Sequence, residues 1–293
     1  MADHTQKNFT IDLWGRLRGF FIIHKYFKGS FAFAMLRLGL IGEASISPRI
    51  RTNLESVEAE HGSNIIKVRF KGKNLKFYVD SNEQFDNSMI CIFNVFFDDE
   101  YCRLDVKGQS VVDIGANVGD SALYFFSNGA KKVYAYEVYP YSCRIARRNV
   151  ELNHAEGTIE IENKAVLGRS GTIKIDPSYS NITTSQINEH EEGQETEVVT
   201  LDQIVKEHGL NNASLKIDCE GSEYEILLNA KASSLRKFKQ IILEYHFGPA
   251  PIVSRLKDSG FKVEYTRPRS SRRISNCMGV SEKMQIGIIY AHK

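Results

Sequence analysis

The sequence predicts an α/β fold in which seven strands form a mostly parallel sheet with helices on both faces. An N-terminal helical and hairpin extension precedes it. Three observations carry this prediction. From about residue 110, short Val/Ile-rich runs alternate with runs of helical period, the pattern of successive βαβ units. The first of these strands breaks into a glycine loop, "SVVDIGANVGD". The fourth, "SLKIDCE", reads as core in its middle and ends in acids.

The elements follow in order. "IDLWGRLRGFFIIHKYFK" and "GSFAFAMLRLGLIG" (residues 29–42) read as a pair of amphipathic helices with a basic cast from Arg16, Arg18, Lys25 and Lys28. The second is too short to span a bilayer and contains Arg37. Packing on the main domain is the plainer reading, and the basic face leaves peripheral membrane contact through residues 11–42 open. "NIIKVRFKGKNLKFYVD" alternates apolar and polar residues around Gly72 and predicts a hairpin. Residues 88–104 predict a helix burying Ile92, Val95 and Phe96. The expected division is an extension at 1–60 and a main domain at 61–293, its core at 105–293.

Within that core, "SALYFFSNGA" predicts a helix stopped at Gly129, and "KKVYAYE" the second strand. "PYSCRIARRNVELN" predicts a helix with Pro140 in its first turn, where the missing N–H costs nothing. "TIEIENKAV" is the third strand, and "GTIKID" with "TEVVTL" a hairpin insertion around a polar stretch. "DQIVKEHG" is a helix with Asp202 as its expected cap. After the fourth strand come a helix at "SEYEILLNA", a fifth strand at "QIILEYH" and a helix closed by Gly260. "FKVEYTR" and "MQIGIIYAHK" complete the seven.

Composition narrows the function classes. The 293 residues carry a formal net charge of +2, so charge alone implies neither a nucleic-acid nor a membrane partner. Five cysteines without a C-x-x-C make neither a disulfide framework nor a zinc site, and point to a reducing cytoplasm. No apolar leader-like run follows the polar N-terminus. The eight histidines are scattered, and no metal-ligand spacing is legible.

In such sheets ligands bind beyond the carboxyl ends of the strands, at the point where strand order reverses. The first loop reads Asp113-x-Gly115-x-Asn117-x-Gly119, with Asp120 where a dinucleotide site would place its third glycine. This spacing suits a ligand bearing a carboxylate and an ammonium rather than a pyrophosphate. Gly115 and Gly119 would let loop amides meet the carboxylate, and Asp113 would reach the ammonium, directly or through water. Glu137 ends the second strand, where an acid accepts the two hydroxyls of a ribose. Amino-acid head group and ribose together describe S-adenosylmethionine. Ala165, at the end of the third strand, and Asp218 are further cofactor-binding candidates.

"VVDIGANVGDSALYF", "GAKKVYAYEVYP", "NVELN", "VVTLD", "LKIDCEGSEYEIL" and "IILEYH" together resemble the FkbM family of S-adenosylmethionine-dependent methyltransferases, in order and spacing from about Leu75 to Tyr290. The resemblance implies a Rossmann-like class I methyltransferase fold and O-methylation, often of sugars or natural products. It does not name the acceptor. The family's usual "E-P" after the second strand is "EVYP" here, with the acid kept.

The acids after the fourth strand need a reason. Asp218, Glu220, Glu223 and Glu225 fall within eight residues, and burying unpaired acids is costly. A wet, ligand-filled cleft would let Asp218 and Glu220 stay charged, Asp218 holding the ammonium or the acceptor and Glu220 binding substrate. Glu223 and Glu225 fit the first turn of the following helix structurally. Methyltransferases acting on bases often carry an Asp/Asn-Pro-Pro-aromatic motif at this strand end; D-C-E-G here favours a hydroxyl acceptor. A hydroxyl must lose its proton, so a base helps. His246 is the first candidate for that base and Glu244 its partner, both from "IILEYH" and on one face of the strand. Arg267, Arg269, Arg272 and Arg273 follow the sixth strand on the same side and suit an anionic acceptor, such as a phosphorylated or nucleotide-linked glycan. A tRNA base methyltransferase is the alternative; the missing Pro-Pro motif and near-neutral charge weigh against it.

Overall fold

The computed structural model describes residues 54–59, 64–79, 88, 91–176, 193–270 and 284–293. The helical pair expected at 11–42 and Arg272 and Arg273 lie outside them. The chain divides into two compact units, Met1–Glu100 and Tyr101–Lys293. The division therefore falls after residue 100, and the hairpin expected at the front of the main domain belongs to the first unit.

In the first unit, β1 (Leu54–Ala59), β2 (Ile65–Phe70) and β3 (Lys73–Tyr78) form an antiparallel sheet in that order. The β2–β3 turn is Lys71-Gly72, both with positive φ (48° and 73°), as a tight two-residue hairpin requires. Alternation buries Ile66, Val68, Phe70, Leu75 and Phe77, and Phe96 meets Phe70 and Phe77 edge-on at 5.2 and 5.8 Å. The helix expected over 88–104 ends early. A π-helical turn, Phe93–Phe97, buries Val95 and Phe96, and the chain then leaves the helix at Asp98-Asp99, with Asp99 at φ 53°.

In the second unit the strands and helices alternate as predicted. They are β4 (Ser110–Ile114), α1 (Asp120–Ser127), β5 (Lys132–Tyr136), α2 (Pro140–Leu152) and β6 (Ile159–Glu162). β7 (Ala165–Val166), β8 (Gly171–Ile175), β9 (Gln194–Val199), α3 (Leu201–Glu207) and β10 (Ala213–Ile217) follow. Then come α4 (Glu223–Asn229), the short α5 (Ala232–Leu235), β11 (Phe238–Tyr245), α6 (Ala250–Asp258), β12 (Lys262–Tyr265), β13 (Arg269–Ser270) and β14 (Gln285–His292). The main sheet has the order β12-β14-β11-β10-β4-β5-β6, with β13 added on β14. β14 is antiparallel to both its neighbours, so β12 runs parallel to β11, as expected for the sixth strand. The order reverses between β4 and β10. Crossovers on the two sides of that point run in opposite directions, and right-handed connections put their helices on opposite faces.

The third predicted strand is broken in two. β6 stays in the main sheet, while β7 pairs with β9 in a small separate sheet, β7-β9-β8. The break is at Asn163, whose side-chain amide donates to the carbonyls of Glu137 and Val138 (3.0 and 2.8 Å). β8 and β9 form the predicted hairpin. The core of the second unit centres on Val112, Leu215, Ile217, Leu227, Ile241 and Leu243, from the central strands and the helices over them. Among the described residues no helix is long and apolar enough to cross a membrane.

The cap of α3 is Thr200, not Asp202. Its hydroxyl accepts from the Gln203 amide (3.2 Å) while the Gln203 side chain accepts from the Thr200 amide (2.8 Å), a reciprocal capping box. Asp202 instead accepts from the Lys231 amide at 3.0 Å and so fixes the entry to α5. Thr200→Ala should cost about 1 kcal/mol, lowering the melting temperature in calorimetry by roughly 2–4 °C; Asp202→Ala should leave the α3 cap intact.

Candidate active site

The carboxyl ends of β4 and β10 lie side by side at the switch point. In their parallel register Asp113 faces Lys216 directly. The Lys216 ammonium sits 3.0 Å from Asp113 Oδ1 and donates to the carbonyls of Gly115 (2.7 Å) and Ile114 (3.3 Å). Both side chains are essentially excluded from solvent. Burial alone would lower the lysine pKa, but the charges of Asp113, Asp218 and Asp120 more than reverse it, so Lys216 stays charged. Ser121 donates to the other Asp113 oxygen at 2.6 Å. Asp113 is thus engaged by an internal pair on one oxygen and by Ser121 on the other. Asp120, buried beside this pair, has its pKa raised to about 7, by burial first and by Asp113 and Asp218 against the pull of Lys216.

The glycine loop folds over that pair. Gly115 has φ 78°, and a Cβ there would lie 1.8 Å from the carbonyl oxygen of Asp218. Glycine is needed because the end of β10 closes on the loop. Gly119 (φ 83°) lets α1 start against Ala146 of α2. Asn149, fully buried on α2, donates to the Val118 carbonyl at 2.8 Å and locks the loop from behind. Four of the loop amides are used inside the loop and its neighbours. Those of Gly115 and Ala116 both reach the Tyr136 carbonyl (3.0 Å), that of Gly119 reaches Ala116 (2.7 Å), and that of Asn117 reaches Glu137. Asn117 itself holds φ 48°, a left-handed position that Asn tolerates.

Glu137 follows β5. Its two oxygens each accept one backbone amide, from Asn117 and from Tyr139, both at 2.9 Å. The two residues after the acid in "EVYP" thus bring the Tyr139 amide back onto the carboxylate. Burial raises the Glu137 pKa, and the two amides oppose this. Ala165 lies in β7, buried in a cluster with Tyr139, Leu167, Ile173 and Val198.

Around the ends of β10 and β11 the structure gathers Asp218, Glu220, Glu223, Glu244 and His246. Glu223, read from the sequence as a helix-start acid, is fully buried. Its Oε1 accepts from the His246 ring Nδ1 and from the His246 backbone amide, both at 3.0 Å, and its Oε2 from the Gly221 amide at 2.8 Å. The other ring nitrogen, Nε2, lies 3.2 Å from Glu220 and 3.8 Å from Glu244. Burial by itself would lower the His246 pKa; hydrogen bonds to Glu220 and Glu223, with their charges, push it up to about 11. A protonated imidazole has no lone pair with which to take a proton. To serve as the expected base, His246 would first have to lose that proton. Burial raises the Glu220 carboxyl despite His246. Glu220 also holds φ 53° beside Gly221 (φ 115°), a backbone conformation rarely adopted by a glutamate. Glu225 is exposed on α4 and accepts from the Gly168 amide at 3.2 Å.

Asp218, Glu244 and His246 each place one metal-competent atom within 4.8 Å of the others. No spacing rule could show this, because the ligands come from two strands joined by two helices. Arg267 is exposed beyond β12, and the backbone of Arg269 pairs with Ile286 in β13. Lys216, Asn149 and Asn163 were missed. For Lys216 a signal existed: it stands as far from the end of its strand as Asp113 does.

Residues 113–263 match the model of the methyltransferase FkbM domain. A protein of Methanocaldococcus jannaschii whose name assigns it N5-glutamine methyltransferase activity is 26% identical over 114 residues, 38% of this chain and 54% of that one. The ribosomal protein L11 methyltransferase of Carboxydothermus hydrogenoformans is 35% identical over 83 residues, 28% of this chain and 27% of that one. The chain spans about half, or less, of the length of these curated relatives. Among solved structures, TrmK of M. capricolum with S-adenosylhomocysteine is 14% identical, covering 67% of this chain and 66% of that one, with a TM-score of 0.44. Precorrin-6y C5,15-methyltransferase of Geobacter metallireducens is 16% identical, covering 74% and 94%, with a TM-score of 0.39.

Removing one partner of a buried ion pair leaves the other charged and unpaired. Lys216→Met should therefore destabilise the protein by about 3–5 kcal/mol in urea unfolding, and adding Asp113→Leu should recover most of the loss. A single variant as stable as the parent would refute the role given to the pair.

Proposed function

Because the chain belongs to the FkbM methyltransferase family, its cofactor is S-adenosylmethionine, and we propose that it methylates a hydroxyl group on a saccharide or other small molecule. The observation that carries this reading is the carboxylate cluster of Asp218, Glu220 and Glu244 beside His246, at the carboxyl ends of β10 and β11. Hydroxyl acceptors need a proton acceptor within reach. Such a site also needs hydrogen-bond acceptors that orient a polyol.

The residues fit the cofactor. Glu137 keeps a second lone pair on each oxygen after accepting Asn117 and Tyr139, which suits the two hydroxyls of a ribose. Asp218, half-buried where β10 closes on the glycine loop, suits the ammonium in place of Asp113. When bound, the cofactor supplies an electrophilic methyl on a sulfonium. The chain's own groups do the rest. Lys216 and Asn149 hold the loop from below and behind. Glu220, partly exposed and with its carboxyl raised by burial, is the better proton acceptor. Glu244 orients the acceptor. Arg267, exposed past β12 on the same side of the sheet, supports an acceptor bearing phosphate or carboxylate.

Two measurements test this together. Glu137→Ala should weaken S-adenosylmethionine binding at least about tenfold in calorimetry, a loss of roughly 1.4 kcal/mol or more. Incubation with methyl-labelled cofactor and fractionated cell extract should place label in small molecules, as an alkali-stable ether. Label in RNA or in protein side chains would overturn the hydroxyl reading while leaving the cofactor assignment standing.

A further inference from the structure

The pair formed by Glu223 and His246 is built more rigidly than an orienting contact for a sugar requires. Glu223 is fully buried, and one of its oxygens accepts both the ring Nδ1 and the backbone amide of His246. The imidazole therefore cannot flip, and Nε2 is aimed from a buried position (1% exposed) at the carboxylates of Glu220 and Glu244. A histidine whose far nitrogen is tied to a buried carboxylate while the near one faces other ligand atoms is the arrangement by which proteins hold metal-bound imidazoles.

The rest of the donor set agrees. Asp218 Oδ, Glu244 Oε and a His246 ring nitrogen lie within 4.8 Å of one another. Atoms sharing a small divalent ion lie at most about 4.2 Å apart, given bonds of about 2.1 Å, so only a modest closing is needed. Glu220, 3.2 Å from Nε2, is the carboxylate that the ion would have to displace from the imidazole. Carboxylates with a single imidazole favour hard ions of the Mg²⁺ and Mn²⁺ kind, and no cysteine belongs to the set. We propose that Asp218, through the oxygen not given to the cofactor's ammonium, Glu244 and His246, with Glu223 as the buried support of the imidazole, bind one hard divalent cation at the mouth of the acceptor site. Binding there places neutral His246 Nε2 on the ion, with Nδ1–H still donating to Glu223, and releases one proton to solvent. If the acceptor is a hydroxyl, the ion would face its oxygen and ease its deprotonation. That last step rests on the function proposed above; the occupancy of the site does not.

The test is direct binding to the full chain. After chelator treatment, titration with Mn²⁺, followed by the loss of the free-ion paramagnetic resonance signal, should give one ion per chain, displaced by excess Mg²⁺. Glu244→Gln and His246→Asn should each weaken binding at least about tenfold, and Glu223→Gln by roughly 10–100-fold. Affinity for S-adenosylmethionine should change by less than about threefold in Glu244→Gln, a partly exposed position chosen because it should fold even if His246→Asn does not. No Mn²⁺ binding up to about 5 mM, or binding unchanged in Glu244→Gln, would overturn the proposal and leave His246 a plain ion-paired imidazolium. Neither result bears on where the methyl label goes.

Discussion

The ion pair between Lys216 and Asp113 is the constraint on which the site depends. It joins the two central strands where strand order reverses, in a place from which water is excluded. A buried ammonium must find acceptors, and Lys216 finds Asp113 and the carbonyls of Ile114 and Gly115. The first of these carbonyls ends β4 and the second opens the glycine loop. The loop's path is therefore set by the hydrogen-bonding needs of a lysine on the neighbouring strand. Gly115 follows from the same closeness, since a side chain there would meet the Asp218 carbonyl.

From that anchor the rest of the loop is fixed by its own amides. They turn back onto Tyr136, Ala116 and Glu137 instead of outward. Glu137 is thereby held by one amide from the loop and one from the segment after β5. A carboxylate pinned from two sides keeps its geometry without a ligand. This preorganisation suits the contact with two ribose hydroxyls proposed for it.

The acidic segment after β10 is resolved by the same logic of pairing. Glu223 can be buried because three donors, two from His246 and one from Gly221, converge on it. Glu220 and Glu244 are partly exposed and face the imidazole that Glu223 holds. The raised pKa of His246 is the result of this enclosure, and it favours the proposal that Glu220 takes the acceptor's proton.

Much of this was written in local sequence. The alternation of β and α elements, Pro140 at the start of α2, and the Gly115–Gly119 turn follow from backbone and periodicity rules that act within a few residues. The position of Glu137 after its strand was equally legible. Other features needed the fold. The pairing of Asp113 with Lys216 appears only in the β4–β10 register. Glu223 is the helix-start acid expected, but its partner His246 comes to it from 23 residues away on β11. Thr200, not Asp202, caps α3, because Asp202 is drawn to the Lys231 amide. Sequence by itself determined which elements form and where ligand-facing loops must lie, since those depend on local torsions and hydrophobic period. Only the tertiary structure decided which charges meet, because pairing energies act through space between strands and not along the chain.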